Sequence, residues 1–291
     1  MTKTWLEVAI NGPWNRQQQP NVPVTPEECI ADAVDCVEAG AAIVHVHARC
    51  RESGEQYDDP DLYTEIIEGI QDQVDAIVYP TTPQSGALGQ PERTGEERFA
   101  HHDILGNREI LEWSVIDPGS TNFVGYHALT CGESGFVYKN PIEDIRIGLE
   151  IAERHNSTPS YAIYEPGFLR LGGALAKQYE VPGPIYRFMF SEKYAVGYPP
   201  KRYALDSYLS LLEEEASGAP WMIAGLGVNV TPLIEYTVEQ GGHIRVGLED
   251  TPFGSERNNV DWVKFARRKV TKAGGELASA EEIRQSLKRQ I

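Results

Sequence analysis

The chain lacks the features of a membrane or secreted protein. It contains no run of 18 or more consecutive apolar residues, which is roughly the minimum for a transmembrane helix. The opening residues, MTKTWLEVAING, show neither the basic nor the apolar segment of a signal peptide. The four cysteines have no CxxC spacing and are too few for a disulfide framework in 291 residues. We therefore predict a cytoplasmic protein with no membrane partner.

Positive charge is also scarce. The chain has 26 lysines and arginines against 43 aspartates and glutamates, which gives a formal net charge of −17. A surface that binds nucleic acid needs a basic patch, so this composition argues against a nucleic-acid partner. If the substrate is anionic, arginines or a metal ion must reverse the sign of the charge locally at its site.

Short apolar, β-branched runs alternate with polar loops and helical patterns along the whole chain. The predicted strands cover residues 4–11, 41–48, 75–82, 112–119, 159–166, 185–191, 221–227 and 243–250. Eight such units indicate one (β/α)₈ TIM barrel, a fold that needs about 250 residues. The competing fold is a doubly wound open sheet, but the turn Asn11-Gly12-Pro13-Trp14 is not the GxGxxG that such a sheet carries.

Helical patterns fill the segments between the predicted strands. They cover residues 26–39, 60–73, 93–105, 141–155, 203–216, 231–239 and 258–273, with an extra C-terminal helix near 280–289. The first has a full set of end signals, because Thr25 is a plausible N-cap, Pro26 opens the first turn and Gly40 follows the last residue. No interdomain linker interrupts the pattern, so residues 1–291 are predicted to form a single domain. The Gly/Pro-rich segment 80–91 is predicted to be an active-site loop.

Two histidines end the second predicted strand. His45 and His47 are two residues apart, and such residues point to the same side of a strand. In a TIM barrel the carboxyl ends of the strands form the active-site mouth. Neutral imidazoles at this place can bind a divalent metal ion, and the alternative is a pair of buried histidines satisfied by hydrogen bonds.

A second cluster of polar residues ends the eighth predicted strand. Arg245 and Glu249 share one parity with His243, so all three are predicted to face the barrel interior. Glu249 with His45 and His47 gives a His₂Glu set, and three protein ligands with one open position are typical of catalytic zinc. Asp250 adjoins the predicted ligand as a general base or as the partner of Arg245. A purely structural Arg245–Asp250 ion pair is the alternative.

The other strand ends carry hydroxyl, amide and carboxyl groups. Side chains of this kind can hold a substrate carboxylate or stabilise an enolate, although each can equally cap a loop. The candidates are Thr81, Thr82, Ser120, Asn122 and Glu165.

Taken together, the motifs AING, AGAAIVHVHAR, PGSTNF, YEPG and GGHIRVGLED resemble the β-keto acid cleavage enzyme family over essentially the whole chain. The resemblance implies a TIM barrel with Zn²⁺ on His45, His47 and Glu249. It also implies the reaction of a β-keto acid with acetyl-CoA, in which an enolate attacks the acetyl thioester. A retro-Claisen cleavage then gives acetoacetate and a new acyl-CoA. Family members are commonly tetramers, so a homotetramer is expected by analogy.

Individual roles follow from the same resemblance. Asp250 matches the family base, Arg245 its electrostatic partner, and Ser120 a hydroxyl position beside the site. The family serine after the third strand has only an approximate counterpart here, in Thr81 or Pro80.

The chain departs from the family after the first strand. Members that act on amino-bearing keto acids have a glutamate there, whereas this chain has Trp14, which cannot pair with an ammonium group. Three substrate classes stay open. Trp14 can bind the quaternary ammonium of dehydrocarnitine by cation–π contact, or Arg16 can meet a second carboxylate, as in 3-oxoadipate. We favour the third, a neutral or apolar β-keto acid against Trp14.

Two hypotheses of other classes remain. A zinc-dependent hydrolase or lyase would use the open metal position without acetyl-CoA. A non-catalytic barrel would only bind acyl-CoA, but such a protein would be free to lose Arg245 and Asp250.

Overall fold

The computed structural model describes residues 3–86 and 92–288 of the chain. It contains all eight predicted strands, each shorter than the predicted range, and two additional short strands, β5 and β6. The strands are β1 (Leu6–Ala9), β2 (Ile43–Val46), β3 (Ile77–Pro80), β4 (Trp113–Ile116), β5 (Thr121–Phe123), β6 (Phe136–Tyr138), β7 (Thr158–Ile163), β8 (Ile185–Phe190), β9 (Trp221–Gly225) and β10 (His243–Val246).

All of the predicted helices are present, and α4 and α6 were not predicted. The helices are α1 (Pro26–Ala39), α2 (Pro60–Gln71), α3 (Gly95–Asn107), α4 (Tyr126–Thr130), α5 (Ile142–His155), α6 (Pro166–Ala176), α7 (Arg202–Ala216), α8 (Ile234–Glu239), α9 (Asn259–Lys272) and α10 (Ala280–Lys288). No helix in the described part of the chain has the length and apolar character needed to cross a bilayer. Of the predicted loop 80–91, residues 87–91 lie outside the described residues.

Parallel pairing joins the eight main strands in the order β3-β2-β1-β10-β9-β8-β7-β4. The two strands at the ends of this order, β3 and β4, lie against each other, so the sheet is a nearly closed barrel. β5 and β6 form a separate antiparallel hairpin beside it. The predicted TIM-barrel fold is confirmed, and all eight carboxyl ends meet at one mouth.

Side chains of the strands alternate between two apolar cores. Val44 and Val46 of β2 belong to the large core between the barrel and its helices. Ile43, which alternates with them, lies with Trp113 in a smaller apolar layer inside the barrel. Ile283 of α10 joins this inner layer, so the extra C-terminal helix closes the end of the barrel opposite the mouth.

The loop between β1 and α1 ends at a firmly capped helix. The Thr25 hydroxyl accepts a hydrogen bond from the backbone N–H of Glu28 at 3.3 Å, and the Glu28 carboxylate accepts one from the N–H of Thr25 at 3.1 Å. Pro26 opens the helix and Gly40, with a φ of 126°, ends it. The predicted boundaries of α1 are confirmed. The capping box fixes the end of the loop that carries Trp14.

Asp32 of α1 gives a prediction about stability. It is half-buried and accepts a hydrogen bond from the Asn259 side chain at 2.5 Å. Burial raises the pKa of Asp32 to about 6, so the folded state favours the protonated carboxyl and ionisation at neutral pH is destabilising. Asp32→Asn will therefore raise the free energy of unfolding at pH 7.5 by up to about 2–3 kcal/mol, since one pKa unit corresponds to roughly 1.4 kcal/mol.

Urea unfolding at several pH values tests this prediction. The advantage of Asp32→Asn will shrink as the pH falls below about 6 and will vanish below the unfolded pKa of 3.8, where the folded and unfolded carboxyls are both protonated. Glu38→Gln, which changes an exposed acid on the same helix, is the matched control and should alter stability by less than about 0.5 kcal/mol. A variant that is less stable than the wild type at pH 7.5 would contradict the prediction.

Candidate active site

Two histidines and a glutamate converge at the mouth of the barrel. His45 is an inward-facing residue of β2, His47 follows that strand directly, and Glu249 lies in the turn after β10. Nε2 of His45 is 3.5 Å from Oε2 of Glu249, and Nε2 of His47 is 3.5 Å from Oε1. One ligand atom from each residue lies within 4.8 Å of the others, a spacing that suits a shared metal ion.

Several polar atoms of this group are buried without a hydrogen-bond partner among the described residues. They are Nδ1 of His45, Nε2 of His47 and Oε2 of Glu249. Nδ1 of His47 lies 2.9 Å from Oε1 of Gln56, whose amide group in turn donates to Asp58 at 3.0 Å. Because an amide oxygen only accepts, Nδ1 of His47 carries the proton and Nε2 keeps its lone pair. The three residues therefore fit a divalent cation, with Gln56 orienting one ligand.

The protonation states agree with this fit. Burial lowers the pKa of His45 well below its usual value, so its imidazole is neutral, the form that binds metals. Burial alone would raise the pKa of Glu249, but the guanidinium of Arg245 holds that pKa well below its usual range. Glu249 is thus an anionic ligand beside the neutral imidazole of His45.

Two glycines allow the backbone to bring Glu249 close to β1. Gly247 has a φ of 138°, and a Cβ there would lie 2.1 Å from the carbonyl oxygen of Ala9. Gly12 has a φ of 57°, and a Cβ there would lie 2.5 Å from Cγ of Glu249. The backbone of Glu249 donates to Ala9 at 3.2 Å and accepts from the indole N–H of Trp14 at 2.7 Å. The β1 loop therefore fixes the position of the glutamate.

Arg245 of β10 binds three carboxylates inside the barrel. Its Nε and Nη2 each lie 2.9 Å from an oxygen of Asp250, and Nη2 also lies 2.8 Å from Oε1 of Glu249. Its Nη1 donates to Glu7 at 3.1 Å, and the hydroxyl of Tyr79 donates to the same oxygen of Glu7 at 2.6 Å. A guanidinium that is bonded on every side cannot rotate, so it holds both carboxylates of the turn in place.

Asp250 differs electrostatically from its neighbour Glu249. Burial raises the pKa of Asp250 to about 6, although the paired guanidinium of Arg245 opposes this rise. Adjacent carboxyl groups whose pKa values are moved in opposite directions are typical of sites that combine a fixed anion with a proton acceptor. This position is chemically suited to accept a proton near neutral pH.

An open cavity joins these groups to solvent. Its empty space, including open solvent at the mouth, is about 720 Å³. Eight of the residues predicted for the site line it: Trp14, His45, His47, Thr81, Thr82, Arg245, Glu249 and Asp250. The hydroxyl of Thr82 donates to the carbonyl of Val115 at 2.8 Å, so this side chain also fixes the cavity wall.

Three predicted site residues do not line this cavity. The hydroxyl of Ser120 accepts from the backbone N–H of Asn140 at 2.8 Å, and Asn122 is exposed on β5. The carboxylate of Glu165, just before α6, accepts from Thr121 at 3.3 Å. The physical reason is the hairpin of β5 and β6, which carries residues 120–122 away from the end of β4.

The cavity also contains groups that the sequence did not single out. They are Gln56, Asp117, Tyr138, Tyr164 and Arg187. Alternation offers a signal for two of them, because Asp117 continues the inward parity of Trp113 and Val115, and Arg187 alternates with Phe188. Gln56 has no such signal, since the loop after β2 folds back to reach His47.

Known proteins resemble this chain over nearly all of its length. It is 26% identical to the 3-keto-5-aminohexanoate cleavage enzyme of Fusobacterium nucleatum, over 99% of this chain and 98% of that protein. It is 27% identical to the 3-oxoadipate:acetyl-CoA acetyltransferase of Cupriavidus necator, over 84% of this chain and 79% of that protein.

Among solved structures, apo ObcA matches with a TM-score of 0.71 and 17% identity. The match covers 92% of this chain and 65% of the ObcA chain, so this chain spans less than two thirds of that protein's length. At this identity the likeness supports the barrel fold alone.

Histidines and carboxylates gathered at the carboxyl ends of eight parallel strands define the chain as a TIM-barrel enzyme. The family model that matches residues 3–288 is that of the beta-keto acid cleavage enzymes. The chain belongs to this family, and the resemblance predicted from its sequence is confirmed. The prediction of an acyl-transferring enzyme that cleaves a carbon–carbon bond is confirmed as well.

Proposed function

We propose that this chain is a zinc-dependent enzyme that converts a β-keto acid and acetyl-CoA into acetoacetate and a new acyl-CoA. The observation that carries the proposal is the buried group of His45, His47 and Glu249, each of which has a polar atom without a partner among the described residues, beside the proton acceptor Asp250. The relatives support the co-substrate, because one of them is named as an acetyl-CoA acetyltransferase.

His45, His47 and Glu249 would hold the Zn²⁺ ion. When bound, the ion supplies Lewis acidity, which makes the C2 proton of a keto acid more acidic. Asp250 takes this proton, and Arg245 holds the carboxylate in place during the transfer. The C2 carbanion attacks the carbonyl carbon of acetyl-CoA and releases the CoA thiolate.

The released thiolate completes the exchange. It adds to C3 of the keto acid, the C2–C3 bond breaks, and the acyl group leaves as a new thioester. The electron pair of the broken bond stays on C2, which takes a proton back from Asp250 to give acetoacetate. Asp250 thus begins and ends ionised, a cycle suited to a carboxyl whose pKa is about 6.

The surroundings of Trp14 bear on the substrate. Nζ of Lys193 lies 3.3 Å from the ring centre of Phe253 and 6.0 Å from that of Trp14. This ammonium occupies the aromatic surface that would otherwise receive a cation, so it disfavours dehydrocarnitine and amino-bearing keto acids by like-charge repulsion. Arg16 is exposed and bonded to Glu28 at 2.6 Å, which argues against its role as the receptor for a second carboxylate.

We also propose the organisation in which this enzyme works. Residues 1–291 form one catalytic domain, and the protein is a cytoplasmic homotetramer, as the family resemblance implies. Tyr126 and Leu129 of α4 and Val137 of β6 expose large apolar side chains that offer a surface for contact between subunits.

A mass-spectrometric assay tests the proposed function. Zinc-loaded protein incubated with acetyl-CoA and a panel of β-keto acids will form acetoacetate and one new acyl-CoA, whose mass identifies the keto acid. Omitting acetyl-CoA separates this reaction from hydrolysis, because a hydrolase will consume the keto acid without it. Turnover that does not depend on acetyl-CoA, or none across the panel with zinc bound, would overturn the proposal.

A further inference from the structure

Arg187 is a buried cation in the cavity wall that forms no direct ion pair with a described carboxylate, although Glu7 and Asp117 act on it at longer range. It lies on β8, is only 3% exposed and lines the cavity. Its Nη2 donates to the carbonyl of Ser160 at 3.2 Å, while its Nε has no hydrogen-bond partner among the described residues. No carboxylate oxygen of the described residues lies within 4.0 Å of a guanidinium nitrogen of Arg187, whereas Arg245 forms ion pairs with three carboxylates.

Such an arginine calls for an anion from outside the chain. A guanidinium removed from water loses its hydration, and a single carbonyl contact does not replace it. Arginine is also the side chain best suited to bind a carboxylate with two parallel hydrogen bonds. The unused donors of Arg187 in an open cavity are therefore a receptor for a ligand carboxylate.

The position of Arg187 indicates which part of the substrate it meets. Four places separate β8 from β2 in the eight-stranded ring, so Arg187 reaches the cavity from the wall opposite His45 and His47. It precedes Met189, the next inward residue, so it lies deeper, and its neighbour across the sheet on β7 is Ala162. Ala162 and Met189 line the cavity beside it, and Ala224 packs against them.

We infer that Arg187 binds a second, distal carboxylate of the keto acid, and that the substrate is therefore a 3-oxo dicarboxylic acid. This inference rests on the proposed function, which assigns the reacting C1–C3 end to His45, His47 and Asp250. The substituent on C3 then extends across the cavity toward the opposite wall. A site that binds anions at both ends also explains how so acidic a chain accepts an anionic substrate.

Asp117 on the neighbouring wall is compatible with a bound carboxylate. The hydroxyl of Tyr138 donates to its Oδ2, and its Oδ1 has no partner among the described residues. Burial raises the pKa of Asp117, although Arg187 opposes the rise. This shift makes protonation of Asp117 easier than for an exposed aspartate, and a protonated carboxyl can donate a hydrogen bond to the ligand instead of repelling it.

A matched pair of substrates tests the inference. 3-Oxoadipate and 3-oxohexanoate have the same chain length and differ in a terminal carboxylate against a methyl group. We expect kcat/KM of the wild type to favour 3-oxoadipate by at least about 100-fold, the usual effect of a buried charge pair. Arg187→Met will remove this preference, and Arg187→Lys will retain only part of it because lysine lacks the paired donors.

Binding without turnover gives a second readout. Calorimetry in the absence of acetyl-CoA should show a similar loss of 3-oxoadipate affinity in Arg187→Met and little change for 3-oxohexanoate. Arg154→Met, which changes an exposed arginine on α5, is the matched control and will keep both affinities. The Arg187→Met protein should keep the melting temperature of the wild type, because methionine replaces a buried charge that has no ion-pair partner among the described residues.

The outcomes separate this inference from the proposed function. Equal losses with both substrates would mean that Arg187 meets the shared C1 carboxylate or only supports the wall, and they would overturn the inference. Equal wild-type rates with both substrates would do the same while leaving the proposed function intact. Tight, Arg187-dependent binding of 3-oxoadipate without acetoacetate would retain the receptor and refute the reaction.

Discussion

His45→Ala protein will lose its bound zinc and form no acetoacetate above background. The variant has only His47 and Glu249 left as ligands, and two side chains hold zinc far more weakly than three. The zinc content, measured by inductively coupled plasma mass spectrometry, and the rate of acetoacetate formation will therefore fall together. His127→Ala, which removes an exposed histidine on α4, is the matched control and will keep both.

A substitution at Gln56, which contacts the proposed ligand His47, should weaken zinc binding without abolishing it. Gln56→Leu leaves the three ligands in place but removes the acceptor that fixes the ring of His47. We expect zinc affinity to fall by about 10- to 100-fold, with activity restored at saturating zinc. One equivalent of tightly bound zinc in His45→Ala would show that the ion binds elsewhere, and unchanged affinity in Gln56→Leu would exclude the orienting role.

The second large effect is expected at Asp250. Asp250→Asn keeps the size of the side chain and its contact with Arg245 but cannot accept a proton, so kcat will fall by about 10²- to 10⁴-fold. Zinc content will stay at the wild-type level, because Asp250 is not one of the three ligand residues. This combination distinguishes a lost base from a lost metal.

Isotope exchange isolates the proton transfer from the later steps. In D₂O without acetyl-CoA, the wild type should exchange the C2 protons of a bound keto acid, which nuclear magnetic resonance follows directly. The Asp250→Asn variant should exchange them only at the uncatalysed rate. Asp61→Asn, a change at an exposed acid on α2, is the matched control. Wild-type exchange in the Asp250 variant would assign the base to another group.

Most of the fold was predictable because buried parallel strands have a strong pattern. Each main strand is fully buried and rich in apolar residues, since both of its faces are covered. β5 and β6 span three residues each and α4 spans five, which is too short for any period to emerge. α6 begins at Pro166, directly after Glu165, and contains Gly167, Gly172 and Gly173, so its sequence looks like a loop.

The candidate site was predictable to the extent that strand parity determines it. His45, Arg245 and Glu249 meet because inward residues at the carboxyl ends of parallel strands share one mouth. Ser120 and Asn122 were placed in that mouth because they directly follow the predicted fourth strand, but the chain there enters the hairpin of β5 and β6. Arg187 was missed for another reason, because only the three-dimensional structure shows whether a buried arginine has a counter-ion.

The hydrogen bond from the indole of Trp14 to the carbonyl of Glu249 has an evolutionary consequence. Trp14 lines the cavity and also supports the backbone of Glu249, the proposed metal ligand, so a substitution at position 14 that changes substrate specificity will also affect metal binding. Replacing Trp14 with a residue that has no donor leaves this carbonyl unsatisfied and loosens the turn after β10. Lineages that diverge in substrate through this position will therefore accumulate compensating substitutions around that turn, and selection experiments should recover them in pairs.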